Sequence, residues 1–371
     1  MVEQLQISNF KSIRDQTVEL RRINLLIGQN GAGKSNFIGV IAFLEHLVAR
    51  ELADYIVRKG GFGEFVHGGL EANNSFGISI RLSDEGKQMP AVKYFFHLRQ
   101  NGAMYGFSRE GFDSDDGEEL MIHGGIGGGS QETSLQYLAG GADPFESAQY
   151  LITYLRTLRV YHFHDTSDNA RVKLPQDVFN AHFLQSEAEN LAPFLLNLQQ
   201  NHPLAYADIV AAVKLVYPPF ADFFLRESPF AKGKMELLWR ERGNEAVLHA
   251  RQLSDGTLRF ICLATLLLQP PELPDAPRTL VLDEPELGLH PFALHVLAEL
   301  LHKAAVHRQV IVATQSVGLL NYFEPEDLLI VERTPQGETT FARKTSDELR
   351  DWLQDYSLGQ LWESNLLGGR P

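Results

Sequence analysis

The sequence predicts an α/β fold of two lobes, with a mixed sheet, a helical subdomain and no long coiled coil. Three observations carry this reading. An apolar run, INLLI, leads into a loop with little side chain and then into apolar residues at helical spacing from Lys34 to about Arg50, which reads as strand, loop, helix. The final third alternates strand and helix through TLVLDE, PFALHVLAELLHKAA, QVIVATQS and DLLIVER, the pattern of a buried parallel sheet. Between them, FGISIRL at 76–82 and VKYFFHLR at 92–99 alternate as half-buried antiparallel strands do.

Taken in order, the chain opens with the short strands EQLQIS and TVEL ahead of INLLI. GGFGEFVHGG at 60–69 and GGIGGG at 124–129 are connectors, and the second, beside DSDDGEE, is expected to be mobile. From about 145 to 225 the pattern is mainly helical, broken by the strand-like RVYHF, and a hairpin around RERGN leads to residue 253. These shifts place lobe I at 1–160 and lobe II at 161–371, with the helical portion at about 176–234. That portion and the 124–129 loop carry no nucleotide motif and are where a partner or nucleic acid is expected to dock. Neither an internal repeat nor a sustained heptad is present.

Composition narrows the class. The 371 residues are 44% hydrophobic and 22% charged, ordinary for a globular chain large enough for two lobes. The single cysteine, Cys262, sits in the apolar run FICLATLLL, which reads as core packing in a reducing compartment. A basic, apolar leader is missing and no apolar run approaches the ~20 residues of a membrane span, so a cytoplasmic protein without membrane contact is expected. Lysine and arginine number 33 against 47 acids, and the resulting −14 opposes broad binding to a phosphate backbone. A local basic groove stays open, so DNA is a possible partner that the net charge does not support.

Three motifs carry chemistry. Gly28-Gln29-Asn30-Gly31-Ala32-Gly33-Lys34-Ser35 follows a strand and opens a helix. Its glycines let backbone N–H groups converge on the phosphates of ATP, the helix N-terminus adds its positive end, Lys34 supplies a point charge and Ser35 a ligand to Mg²⁺. In TLVLDEPELGLHP an apolar strand ends in two acids that alternation sends to opposite sides. Asp283 would hold Mg²⁺ and Glu284 would polarise the attacking water. In QLSDGTLRF, Ser254, Asp255 and Gly256 stand before an apolar helix from about Thr257 to Leu268, either an ordinary N-cap or a second helix N-terminus suited to an anion.

Together, GQNGAGKS, LSDGT, LVLDEPELGLHP and VATQS resemble the ABC-type ATPase heads of the RecF and SMC kind, most closely the stand-alone prokaryotic ATPases grouped as AAA-type. The similarity runs from ISNFKSI to YSLGQLWESNLLGGRP and includes VYHFHDTS. It implies a two-lobed ABC-type P-loop NTPase head. It also implies nucleotide contacts from Asn30, Gly31, Ala32, Gly33, Lys34, Ser35 and Asn36, from Lys11 and Ser12, and from the signature residues Ser254, Asp255 and Gly256. Glu284 matches the catalytic acid. Two departures stand out: Asp255 replaces the glycine of many transporters, and Gln315 replaces their switch histidine. A glutamine donates a hydrogen bond but cannot titrate. The glutamine loop has no clear counterpart; in YHFHDTS, His164 or Asp165 near Mg²⁺, a separate His-His-Asp metal site and a satisfied structural loop are the alternatives.

An AAA+ module would leave LSDGT followed by DEPELGLHP unexplained, and no helical lid follows. The expected function is therefore Mg²⁺-dependent ATP hydrolysis coupled to an ATP-driven head-to-tail homodimer, a switch in genome maintenance or phage defence. The alternatives are a nucleotide-sensing scaffold that hydrolyses little and recruits an effector protein, and an ATP-gated DNA clamp.

Overall fold

Apolar residues at alternate positions give Val2–Phe10, Ser75–Leu82 and Val92–Asn101 one buried face each, and the computed structural model places them side by side in a sheet. The structure describes residues 1–84, 86, 90–115, 117, 119–124, 130–136 and 146–369. Two compact units result: Met1–Arg159 with Glu324–Pro371, and Val160–Phe323.

In the first unit, six antiparallel strands run in the order Ile13–Glu19, Val2–Phe10, Ser75–Leu82, Val92–Asn101, Met104–Ser114 and Glu119–Gly124. The helix Lys34–Ala49 brings Phe43 onto the buried aromatics beside them. Phe43 meets Phe76 at 5.3 Å and Phe65 at 5.5 Å edge-on, and stacks on Phe96 at 5.9 Å. Phe10 joins the same cluster, 5.4 Å from Phe76. Such offset and edge contacts add ~0.5–1.5 kcal/mol each beyond the burial of area. They fix the helix, and so the loop that precedes it.

The same unit holds a second set of strands. Ile23–Ile27 pairs in parallel with Leu328–Arg333, from Leu25↔Leu328 to Ile27↔Ile330, and Leu328–Arg333 pairs antiparallel with Thr339–Ala342. This corrects the expected lobes: the segment from Glu324 onward, assigned to lobe II, packs with the first unit. A parallel pairing between strands so distant in sequence leaves no local pattern to read.

In the second unit, Thr279–Asp283 and Gln309–Ala313 form a parallel pair in register from Thr279↔Gln309 to Asp283↔Ala313, with Pro291–Ala305 as the helix between them in sequence. All five residues of Gln309–Ala313 are buried, as are the first four of Thr279–Asp283. The signature helix begins two residues earlier than expected and spans Asp255–Leu268. Helix is scarcer in 176–234 than its composition suggests, confined to Leu191–Asn201 and Pro203–Val216. Much of the rest is organised by buried Asn190. Its side chain accepts from Gln185 N at 2.9 Å and donates to the carbonyls of Asn180 and Phe183 at 3.0 and 2.7 Å, giving the backbone an alternative to helix. Cys262 is buried, and burial pushes its thiol up to about 12.

The longest helix, Lys34–Ala49, has 16 residues, so no long coiled coil occurs among the described residues. Among the same residues no helix is long and apolar enough to cross a membrane. The expected mobile loop at 124–129 lies, after Gly124, outside the described residues.

Because Phe43 is fully buried at the centre of five other rings, Phe43→Ala should lose ~3–5 kcal/mol, read as a lower denaturant midpoint. A loss below ~1 kcal/mol would mean that the cluster does not anchor the helix.

Candidate functional site

In the first unit the strand Ile23–Ile27 ends at Gly28, and the chain turns through Gly31 (φ 79°) and Gly33 (φ 119°) into the helix Lys34–Ala49. Both angles favour glycine. At Gly33 space forbids a side chain as well, because a Cβ would overlap the side chain of Thr339. At Gly31 a Cβ would meet nothing within 4 Å. Gly33 is also the helix N-cap, and no side chain caps that end. A helix start of this kind presents backbone donors and the positive end of the dipole together.

The residues predicted to touch nucleotide divide between the rim and the inside of this loop. Asn30, Gly31 and Ser35 are exposed. Ala32 is buried; its N–H donates to Gln29 O at 3.1 Å, and its carbonyl accepts from Thr339 Oγ1 at 2.8 Å. Ser12 and Asn36 extend that network, with Asn36 Nδ2 donating to Ser12 Oγ at 2.6 Å and Ser12 Oγ lying 2.7 Å from Thr339 Oγ1. The Lys34 ammonium donates to the Gly28 carbonyl and, at 3.3 Å, to Gln29 O. Lys11 sits elsewhere: its ammonium lies 5.5 Å from the centroid of Phe65 and 5.9 Å from that of Phe10. Burial, and then the charge of Lys59, hold the Lys11 pKa below its usual value.

Sequence reasoning missed Thr339 and Arg333. Thr339 is buried, and Arg333 donates to Gly31 O at 3.2 Å and to Gly337 O at 2.8 Å. Both lie in or beside the late strands whose membership in this unit the sequence did not reveal.

In the second unit the strand Thr279–Asp283 ends with Asp283, and Glu284 adopts φ 43°. Its direction therefore comes from a left-handed turn and not from the strand's alternation. Such a conformation costs a non-glycine residue ~1–3 kcal/mol and persists where its surroundings hold it. Glu284 N donates to Ala313 O at 2.8 Å, and Gln315 Nε2 donates to Glu284 Oε1. Glu286 completes the group, its Oε1 accepting from Thr314 Oγ1 at 2.6 Å and Gln315 N at 2.9 Å, while its Oε2 is buried without a hydrogen-bond partner. Burial, and to a lesser extent the charge of Glu284, raise the Glu286 pKa against those two hydrogen bonds. Gln315 thus bridges the two acids, with its side chain on Glu284 and its backbone on Glu286.

Ser254 caps the signature helix: its Oγ accepts from Thr257 N at 3.2 Å and lies 2.8 Å from Thr257 Oγ1. Ser254 and Asp255 are exposed. Gly256 meets its own chain, since a Cβ there would overlap the Gly288 carbonyl. Three residues further on, Arg259 is buried and donates to Phe163 O at 2.8 Å, to His164 O at 3.1 Å and to Leu287 O. Burial lowers its pKa. This residue, also missed, ties the signature helix to the segment after the acidic strand and to HFHD. Only the arginine inside an otherwise apolar helix could have drawn attention to it.

The HFHD segment forms no metal centre. Among the described residues no cluster of three or more histidine, cysteine or acidic side chains could hold a metal. His164 Nε2 engages the Asp283 carbonyl at 2.8 Å, and Asp165 Oδ1 accepts from Ser167 N at 3.0 Å. His162 Nδ1 lies 3.9 Å from Asp283 Oδ2. Of the three alternatives left open, the separate metal site is excluded on this ground.

Residues 23–321 match the family described as AAA domain, putative AbiEii toxin, Type IV TA system. Among solved structures, an SMC head bound to the C-winged helix domain of ScpA aligns with TM-score 0.63 at 14% identity, covering 94% of this chain and 99% of that one. An SMC head domain with an extended coiled coil, bound to the C-terminal domain of ScpA derived from Pyrococcus furiosus, aligns with TM-score 0.59 at 14% identity, covering 95% and 98%. The fold is thus that of an SMC-type P-loop ATPase head. Comparison with curated proteins finds no match.

Arg259→Met should leave three carbonyls short of a donor and cost ~2–3 kcal/mol, with Arg259→Lys recovering part of it, in denaturant titrations of the nucleotide-free protein. Wild-type stability of the methionine variant would show that these carbonyls are satisfied without the guanidinium.

Proposed function

The chain belongs to the AAA domain family described as a putative AbiEii toxin of a type IV toxin–antitoxin system, and on that premise we propose that it hydrolyses ATP with Mg²⁺ and uses ATP to close a head-to-tail homodimer. The observation that carries this reading is the uncapped helix start at Gly33, with Lys34 behind it and bare backbone at Gly28, Gly31 and Gly33. A cradle built this way fits a polyphosphate, which can replace the carbonyls as partner of Lys34 with a charged acceptor and a stronger hydrogen bond. Ser35 and Asp283 are the proposed protein oxygens for Mg²⁺, a set as small as expected for an ion that takes its remaining ligands from phosphate and water. When bound, the ion would neutralise charge that develops on the transferred phosphoryl group.

Glu284 is the group proposed to orient water. Its carboxylate is held by Gln315, so its direction is set before any substrate arrives. Glu284→Gln should retain ATP binding and lose ~10²–10⁴ in turnover; phosphate release equal to wild type would remove Glu284 from the mechanism.

The same hydrogen bond favours a second reading. A carboxylate engaged by Gln315 is a weaker acceptor for water, and an amide cannot take up a proton. Slow turnover in the wild type would then make the protein a nucleotide-sensing scaffold that recruits an effector. That a structurally similar SMC head is seen bound to ScpA supports a protein partner. The family's description as a toxin component supports a defence or regulatory switch. The net charge of −14 gives a DNA clamp no support.

Dimerisation follows from the exposed Ser254 at the start of a 14-residue helix, a second anion-suited N-terminus. ATP bound by Lys34 of one copy would be completed by Ser254 of the other, and ADP lacks the phosphate that spans them. Light scattering of Glu284→Gln should show a doubled mass with ATP and a monomer with ADP. Ser254→Arg should abolish pairing without weakening nucleotide binding, and mixing it with Lys34→Ala should restore part of the activity. The same mass with both nucleotides and no recovery in the mixture would sink the dimer.

A further inference from the structure

The sequence motif LWESNLLGG lies outside the matched family region, yet the fold brings it to the base of the phosphate loop. The helix Leu358–Glu363 buries Leu361 and Trp362 completely. Beyond it the chain turns back through Asn365 (φ 58°), Gly368 (φ 83°) and Gly369 (φ 60°). The indole N–H of Trp362 donates to Gly369 O at 2.6 Å, and Gly369 N donates to Glu332 Oε1 at 2.7 Å.

The position of Gly369 matters more than its hydrogen bonds. A Cβ there would stand 2.9 Å from Ile330 Cγ2 and 3.5 Å from both Gly28 Cα and the Ile27 carbonyl. On another side of Gly28, a Cβ would overlap the carbonyl of Val331. The first glycine of the phosphate loop is therefore confined between two backbone segments, the strand Leu328–Arg333 and the Gly368–Gly369 turn. One side chain, Glu332, links the two. The Lys34 ammonium hangs on the carbonyl of that same Gly28.

We infer that the Trp362–Gly369 segment is a positioning element of the nucleotide site, fixing the Gly28 peptide so that the loop and Lys34 meet a polyphosphate without first reorganising. This rests on reading Gly28–Ser35 as the nucleotide loop. The argument is one of pre-organisation: a loop whose first peptide is already confined loses less freedom on binding. Linkage makes the effect reciprocal, so ATP must in turn stabilise the segment.

The test uses the full chain with Mg²⁺ and ATP. Gly369→Ala adds one methyl facing Ile330 and Gly28, and Trp362→Phe removes one N–H donor. Calorimetric titration well below the unfolding temperature should show the ATP Kd raised about tenfold or more in Gly369→Ala, and raised less in Trp362→Phe. A role in stability alone would lower the melting temperature and leave Kd within twofold of wild type, and that result overturns the inference. If the alanine variant does not fold, hydrogen exchange on the wild type decides. ATP should slow amide exchange in 362–369, and unchanged exchange overturns the proposal. A wild type that binds no ATP would instead fail the reading of the loop itself.

Discussion

The confinement of a stretch of nearly bare backbone is the constraint on which the rest of this structure depends. A loop that aims its amides at an anion cannot carry side chains to hold itself, because side chains would fill the space the anion needs. Its rigidity has to come from outside. Here it comes from Thr339, which accepts no compromise in space at Gly33 and bonds the Ala32 carbonyl, from Arg333 on the Gly31 carbonyl, and from the backbone of Val331 against Gly28. Ser12 and Asn36 complete a polar brace behind the loop. Apart from the exposed Arg333–Gly31 bond, these contacts are buried or half-buried, where an unmade hydrogen bond costs ~1–3 kcal/mol, so loop and brace are stable only together.

A different device governs the acids of the second unit. Glu284 leaves the strand in a left-handed conformation, and the strain is held by hydrogen bonds from its backbone to Ala313 and from Gln315 to its carboxylate. Gln315 is itself held by Glu286, whose buried carboxyl has a raised pKa and one oxygen without a hydrogen-bond partner. A change at any of the three residues therefore reaches the other two. Arg259 does the same on a larger scale: three carbonyls from two separate segments converge on one buried guanidinium, and glycines at 256 and 288 allow the backbones to come that close. Partial movement of either arrangement would leave buried polar groups unpaired.

What the sequence determined by itself was everything that depends on neighbours along the chain. The strand, loop and helix at Ile23–Ala49, the acids that end Thr279–Asp283, and the cap at Ser254 follow from local periodicity and turn chemistry, and the structure has each of them. The alternating strands near residues 76 and 92 are likewise present. The family resemblance rested on these same local motifs, and the match over 23–321 and the SMC-head fold agree with it. What only the tertiary structure decided was each relation between distant residues. Leu328–Arg333 joins Ile23–Ile27 because parallel pairing rewards shape and burial at any separation, so the late segment left its expected lobe. Thr339, Arg333 and Arg259 look unremarkable in sequence because their partners are backbone carbonyls, which every residue carries. Glu284 turned by its φ angle where alternation predicted the pleat, and in HFHD His164 found a carbonyl and Asp165 an amide. Local pattern specifies which element forms; it cannot specify which carbonyl a side chain will find, because that is fixed only when the elements pack.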